Sequence, residues 1–209
     1  MSIEHPYTAT RRKALALGFG AVAMATFPFA NARALGASEA EDFIRAVVTD
    51  LRGLIEAGAS GPDGAAQFLD LLEAKSSLSA VAKFAMGRNW REMSDGQKDA
   101  YGVAFRTYIS QTYQNRFSEY AGEDIEVTGS VDAGRKGVLV KSLLKRPEGA
   151  PIVVEWLVSD RSGETRLSDI VFEGVSLAIT LRETFGGMVD ARGGDIDQFI
   201  ADLAASEGA

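Results

Sequence analysis

Hydrophobic residues in the first half of the chain, after residue 34, recur at the spacing of α-helices. Apolar positions between Ser38 and Ile55 repeat every three or four residues, which is typical of one buried helix face. The same period predicts a helix around Phe68, another over 77–86 and the longest over 95–120. Ser38 with Glu41, and Ser94 with Gln97, have the spacing of capping boxes. We therefore expect a helical part over residues 35–120.

From residue 124 the hydrophobic pattern changes to alternation, which indicates strands with one buried face. In the first run the apolar residues Ile125, Val127 and Val131 all lie at odd-numbered positions, so they have the same parity. Residues 152–158 give the cleanest alternation in the chain. The breaks between the apolar runs are short and rich in turn residues, so they cannot carry a parallel crossover. The pattern predicts four antiparallel strands in a meander over residues 121–175.

The remaining residues, 176–209, return to helical spacing and predict two closing helices. Leu177, Leu181 and Phe185 lie on one face of the first, which we expect to end at the Gly186-Gly187 pair. Asp195 is placed to cap the second. No linker separates these parts, so the pattern predicts one α+β domain over residues 35–209.

The N-terminus has the layout of a secretory signal peptide. The pair Arg11-Arg12 is followed by an apolar run over 14–30 and by small-x-small cleavage sites that end at Ala32 and Ala34. The arginine pair favours the twin-arginine export route, although Ala14 stands where that route favours Phe, and the general secretory route stays open. We expect residues 1–34 to be removed and the remaining chain to be a soluble periplasmic protein.

Composition excludes several classes of chemistry. The chain has no cysteine, and its one histidine, His5, lies in the predicted leader. Thiolate and imidazole catalysis and sites built on His or Cys metal ligands are therefore excluded for the mature protein. Loss of the leader, which holds four basic residues and one acidic residue, lowers the net charge from −7 to −10. An acidic chain repels the phosphate backbone of nucleic acids, so we expect no nucleic-acid partner.

The long predicted helix carries an aromatic-rich row that includes Tyr101, Phe105, Ile109 and Tyr113. This row and the apolar face of the sheet could meet in a filled core, which periodicity alone favours. The same layers could instead lie far enough apart to leave an apolar pocket. The hydrophobic pattern does not separate these two outcomes.

One segment, Ser168–Phe185, carries a more specific signal. It contains the run Asp-x-x-x-Glu-Gly-Val-Ser-Leu, from Asp169 to Leu177, followed by a helix with Arg-x-x-Phe. This block resembles the signature of the MlaC or toluene-tolerance family of periplasmic phospholipid shuttles. Segment Phe84–Trp90, the long helix after it and the closing segment Gly193–Leu203 resemble that family in the same order.

The resemblance implies a fold and a function. The fold would be a curved antiparallel sheet, NTF2-like in type, covered by helices, with an apolar lipid cavity between them. The protein would be a phospholipid carrier, not an enzyme, without cofactor or metal. Its partners would be an outer-membrane lipoprotein complex and an inner-membrane ABC transporter of the Mla type. It would act as a monomer and maintain the lipid asymmetry of the outer membrane.

Candidate lipid-binding residues follow from the faces of the predicted elements, with plain core packing as the alternative for each. They are Phe105, Ile109, Tyr113, Val140, Val154, Trp156, Val171, Val175, Leu177 and Leu181. Arg182 is the head-group candidate, because a guanidinium matches the geometry of a phosphate. A surface ion pair is its alternative role.

Three other interpretations stay open at this point. The same fold could carry a hopanoid or another apolar lipid. Asp169 and Glu173 could serve a carboxylate-dependent hydrolase, since paired carboxylates support acid–base catalysis. The chain could also be an interaction module with a filled core.

Overall fold

The computed structural model describes residues 35–58, 61–119, 124–146 and 149–206, without the side chains of 61–62 and 113–119. The predicted leader, residues 1–34, lies outside this part. The helices are α1 (Ala37–Glu56), α2 (Gly61–Lys75), α3 (Leu78–Met86), α4 (Asp95–Glu119), α5 (Leu177–Asp190) and α6 (Ile196–Ala205). The strands are β1 (Asp124–Asp132), β2 (Val138–Lys145), β3 (Ile152–Ser159), β4 (Arg166–Phe172) and β5 (Val175–Ser176). The α+β class is confirmed.

Two of the three predicted helix caps are present. At the start of α4, the Gln97 amide donates to Ser94 Oγ at 3.2 Å, and the Ser94 amide donates back to Gln97 Oε1 at 2.9 Å. At the start of α6, the Gln198 amide donates to Asp195 Oδ1 at 3.0 Å. These bonds satisfy amides that have no partner inside the helix.

The predicted capping box at Ser38 and Glu41 is wrong. Helix α1 begins at Ala37, and its N-cap, Gly36, supplies no side-chain cap. Glu41 instead accepts a hydrogen bond from Ser130 Oγ at 2.8 Å, which links α1 to β1.

The predicted end of α5 at Gly186-Gly187 is also wrong, because the helix runs to Asp190. Phe185 and Val189 are both buried on its inner face. Burial of that face outweighs the low helix propensity of the two glycines.

The sheet is antiparallel throughout, in the order β1-β2-β3-β4-β5. The meander is confirmed, but the expected count of four strands was one too few. β5 is only two residues long and pairs Val175 with Phe172 and Ser176 with Val171. Such a short strand has no alternation of its own, so its pairing with β4 could not be recognised from the pattern.

One side of the sheet is the buried side, and a bulge in β1 determines which residues reach it. Ile125 and Val127 pair with buried residues of β2, but the register shifts between Val127 and Gly129. A shift of one residue moves every later side chain to the opposite face. Val131, which shares their parity in the sequence, is therefore 45% exposed.

Buried residues form two clusters. One lies between α1 and the inner face of the sheet and includes Ile44, Val140, Val154 and Trp156. The other joins α3, α4, α5 and α6 around Tyr101, Phe105, Phe185, Phe199 and Leu203. The cavity described below lies where these clusters adjoin.

Candidate functional site

An apolar cavity of about 100 Å³ lies between the sheet and the helices. Helices α1 to α5 and strands β3 and β4 contribute to its wall. The lining residues are Val47, Leu51, Phe68, Leu71, Leu72, Lys75, Ser76, Leu78, Val81, Phe105, Ile109, Trp156, Leu167, Ser168, Asp169, Ile170, Leu177, Ala178 and Leu181. A wall of this composition suits a hydrocarbon ligand.

The predicted aromatic row of α4 reaches this wall. Phe105 and Ile109, four residues apart and thus on one helix face, both line the cavity and are both buried. Trp156 contributes from the inner face of β3, where its cross-strand neighbour is Ile170. The residues that helical spacing and strand alternation place on the buried faces therefore line the same cavity.

The α5 wall is fixed by the carboxylate of Asp169. Its Oδ1 accepts the Ala178 amide at 3.0 Å and the Ile170 amide at 2.9 Å, and its Oδ2 accepts the Ser176 hydroxyl at 2.5 Å. Ser176 Oγ in turn caps α5 by accepting the Ile179 amide at 3.1 Å. These bonds tie the first turn of α5 to β4.

The turn between β4 and β5 needs two left-handed residues. Gly174 has φ 84°, which a glycine adopts without strain, and Glu173 has φ 50° despite its side chain. The Glu173 side chain is exposed, and its backbone amide donates to the Val153 carbonyl at 3.0 Å. The carboxylate that accepts amide protons around this turn is therefore that of Asp169.

Lys75 and Asp169 are the charged residues among the described residues of the wall. The Lys75 ammonium lies 2.8 Å from Asp50 Oδ2 of α1. Sequence reasoning missed Lys75, although a signal was present. It follows Phe68 by seven residues and Leu71 by four, which places it on the apolar face of α2.

The structure brings five of the candidate lipid-binding residues together around the cavity. They are Phe105, Ile109, Trp156, Leu177 and Leu181. Val140 and Val154 are buried in the cluster between α1 and the sheet and do not line the cavity.

The other candidates lie elsewhere. Val171 pairs with Glu155, which shares the outer face of the sheet with Lys141. Val175 is 57% exposed at the sheet edge, and the side chain of Tyr113 lies outside the described residues.

Arg182, the head-group candidate, is not part of the cavity wall. It is exposed on α5, and its guanidinium carbon lies 5.1 Å from the ring centre of Phe84. Its nitrogens also lie close to Gly87. This stacking on an aromatic face is a cation–π contact.

Within the described part of the chain, no group of three His, Cys, Asp or Glu residues is arranged to hold a metal ion. No helix there combines the length and the apolar run that crossing a bilayer requires.

The model of the MlaC protein family matches residues 45–205, a range that contains every described residue of the cavity wall. The chain belongs to the MlaC family. Among curated proteins, it is 22% identical over 185 residues to the toluene tolerance protein Ttg2D of Pseudomonas putida, covering 86% of this chain and 85% of that protein. The resemblance of the Ser168–Phe185 block to this family is thereby confirmed.

A solved structure shows the same fold. The phospholipid-binding protein from Ralstonia solanacearum, determined in complex with a phospholipid, superposes with a TM-score of 0.64 at 19% sequence identity. The match covers 79% of this MlaC-family chain and 98% of the Ralstonia chain.

Proposed function

We propose that this MlaC-family chain is a carrier that binds phospholipid through its acyl chains. The observation that carries the proposal is the apolar cavity between the sheet and the helices, with Trp156, Phe105 and Leu181 in its wall. Burying a methylene group is worth about 0.8 kcal/mol, so two long acyl chains gain on the order of 20 kcal/mol relative to water. The relatives named after phospholipid binding and toluene tolerance support this cargo.

Binding requires the wall to move. The cavity volume of about 100 Å³ is below the roughly 300–1,000 Å³ typical of small-molecule sites. A diacyl lipid therefore enters only if helices of the wall separate from the sheet. Release to a membrane or a partner uses the same motion in reverse.

The carrier works without catalysis. The carboxylate of Asp169 is occupied by three hydrogen bonds within its own turn, and Glu173 is exposed at that turn. The two carboxylates therefore do not form an acid–base pair in the cavity. The proposed cycle consists of uptake, diffusion and delivery of an unchanged lipid.

Mass spectrometry of organic extracts from the purified protein, expressed at full length, tests the cargo. We expect diacyl phospholipid at near one molecule per protein. A polycyclic lipid such as a hopanoid would retain the carrier and replace the phospholipid. Absence of lipid, together with no uptake from vesicles by the folded protein, would overturn the carrier proposal.

We also propose that the protein works in the periplasm as a monomer, between an outer-membrane lipoprotein complex and an inner-membrane Mla-type ABC transporter. Family membership and the predicted leader support this location. Replacing Arg11-Arg12 by Lys-Lys tests the export route. Accumulation of unprocessed precursor in the cytoplasm would support twin-arginine export, whereas unchanged processing would assign the protein to the general secretory route.

The partners are tested with two vesicle populations, one holding labelled phospholipid and one holding the ABC transporter complex. We expect the protein to speed lipid arrival at the transporter vesicles more than at plain acceptor vesicles. Equal rates to both acceptors would remove the transporter as its partner.

A further inference from the structure

Lys75 is the one cation among the described residues of a mainly apolar wall. It is the last residue of α2, and its side chain is 29% exposed. Its ammonium pairs with Asp50 Oδ2 at 2.8 Å, and the side chain of Asp50 is 46% exposed. A positive and a negative group thus stand side by side where the cavity meets solvent.

A neighbouring cation, Arg166, is already committed to the end of α2. Arg166 donates to the carbonyl oxygens of Glu73 and Ala74 and pairs with Glu164, so it satisfies the C-terminal carbonyls of α2. Within the described chain, Asp50 is the acidic partner of Lys75.

The wall's other charge, Asp169, is also engaged. Its two oxygens accept three hydrogen bonds from the β4–α5 turn, so that charge is committed to holding the turn. The Lys75–Asp50 pair is therefore the charged part of the rim that can exchange partners.

We propose that Lys75 and Asp50 form a head-group subsite for a zwitterionic phospholipid. The Lys75 ammonium binds the phosphodiester anion, and the Asp50 carboxylate binds the primary ammonium of an ethanolamine head group. This inference rests on the proposed carrier function and adds the head-group class. One exposed ion pair is replaced by two, and each partner keeps an opposite charge beside it.

The same geometry discriminates between head groups. A phosphatidylglycerol also offers a phosphate to Lys75, but its glycerol carries no charge for Asp50. The carboxylate then lies unpaired beside the phosphate of the lipid, and the two anions repel. The subsite therefore favours ethanolamine over glycerol head groups when the acyl chains are identical.

The test is a competition. The protein is expressed at full length, purified and delipidated. It is then mixed with vesicles that contain equal parts of phosphatidylethanolamine and phosphatidylglycerol with the same acyl chains, and mass spectrometry measures the amount of each bound lipid. We expect the wild type to be enriched in phosphatidylethanolamine by about two- to fivefold, the range of one exposed ion pair. Asp50→Asn should bring the ratio close to one while total uptake persists.

Three further variants complete the design. Lys75→Met should lower the loading of both phospholipids, and Lys75→Arg should restore it. Lys145→Met is the control, because it removes a cation from an exposed pair with Glu126 on β1, away from the cavity wall. It should change neither the ratio of bound phosphatidylethanolamine to phosphatidylglycerol nor the total amount of bound lipid. Thermal unfolding of each variant verifies that the fold persists.

The outcomes separate the two proposals. Normal uptake with a ratio near one in the wild type, or with the same ratio in Asp50→Asn, overturns the subsite and leaves the carrier intact. Absence of uptake by the wild type overturns the carrier function and the subsite with it.

Discussion

The indole nitrogen of Trp156 donates a hydrogen bond of 2.9 Å to Ser142 Oγ on the neighbouring strand β2. Both residues are almost fully buried, at 2% and 1% exposure. The Ser142 hydroxyl in turn donates a hydrogen bond of 2.9 Å to the Val154 carbonyl oxygen. The pair therefore holds the largest side chain of the cavity wall in one orientation.

Replacing Ser142 by Ala should destabilise the protein by about 1–3 kcal/mol, because the buried indole N–H loses its acceptor. The free energy of unfolding is measured by urea denaturation. Ser162→Ala is the matched control, since Ser162 is exposed, and should stay within about 0.5 kcal/mol of wild type. Equal stability of Ser142→Ala and wild type would contradict the role of this bond.

Tryptophan fluorescence can report the position of bound acyl chains. The chain has two tryptophans, and Trp156 lines the cavity whereas Trp90 does not. We expect phospholipid with brominated acyl chains to quench Trp90→Phe protein, which keeps Trp156, more strongly than Trp156→Phe protein. Stronger quenching of Trp90 would place the acyl chains outside this cavity.

Filling the cavity should separate lipid binding from stability. Ala178 lines the cavity, and Ala178→Leu adds three carbon atoms next to a free volume of about 100 Å³. Because space exists for them, we expect a stability change below about 1.5 kcal/mol together with a loss of lipid uptake.

Ala85→Leu is the counterpart, since Ala85 is 1% exposed in the aromatic cluster and does not line the cavity. We expect it to cost about 1–3 kcal/mol by overpacking and to retain uptake. The reverse pattern in the two variants would show that acyl chains bind elsewhere.

The Asp169 carboxylate should matter for folding and not for lipid transfer. Asp169→Asn replaces one acceptor oxygen by a donor, and we expect a loss of about 1–3 kcal/mol in the free energy of unfolding. Transfer of phospholipid between vesicles should continue below the unfolding range. Glu173→Gln should leave both quantities unchanged, because its side chain is exposed. A loss of transfer at unchanged stability would revive a chemical role for the carboxylate.

Tyr101 makes stability sensitive to alkaline pH. Burial raises the pKa of its phenol, whose hydroxyl donates to the Ala82 carbonyl at 2.9 Å. In the unfolded chain a tyrosine ionises near pH 10, so the neutral folded form loses relative stability above that pH, by about 1.4 kcal/mol per pH unit.

Tyr101→Phe isolates this effect. At pH 8 it should be less stable than wild type by about 0.5–1.5 kcal/mol, because it lacks the hydrogen bond. At pH 11 the difference should vanish or reverse. A difference that stays constant from pH 8 to pH 11 would mean that the phenol ionises in the folded protein as it does in the unfolded chain.

The sequence predicted those parts of the structure that depend on local period. Alternation over 152–158 placed Trp156 on the inner face, and helical spacing placed Phe105 and Ile109 on one side of α4. The caps at Ser94 and Asp195 were predicted for the same reason, since a cap involves residues three apart. Two lipid-binding candidates, Val140 on β2 and Val154 on β3, lie in a filled cluster instead. The hydrophobic period predicts which face of a strand is buried, but not whether side chains or a cavity lie against that face.

Features that depend on distant partners were missed. The bulge in β1 places the Val131 side chain on the exposed face, and the hydrophobic pattern does not predict that bulge. Arg182 stacks on Phe84 of α3, nearly a hundred residues earlier in the chain, which one sequence does not reveal. Lys75 followed the apolar period of α2, but a charge at a helix end is ordinarily solvated, so its place at the cavity depended on packing.

The Asp169 turn gives the cavity one stiff wall and one soft wall. The start of helix α5 is held to the sheet by hydrogen bonds that the Asp169 carboxylate accepts from the Ser176 hydroxyl and the Ala178 amide. Helix α2 is held to its neighbours in part by two ion pairs at the surface, Lys75–Asp50 and Arg106–Glu73. Salt screens the second kind of attachment far more than the first. A rise in ionic strength therefore weakens the attachment of the α2 side of the cavity more than that of the α5 side. The mobility of α2 thus depends on the salt content of the compartment in which the protein works.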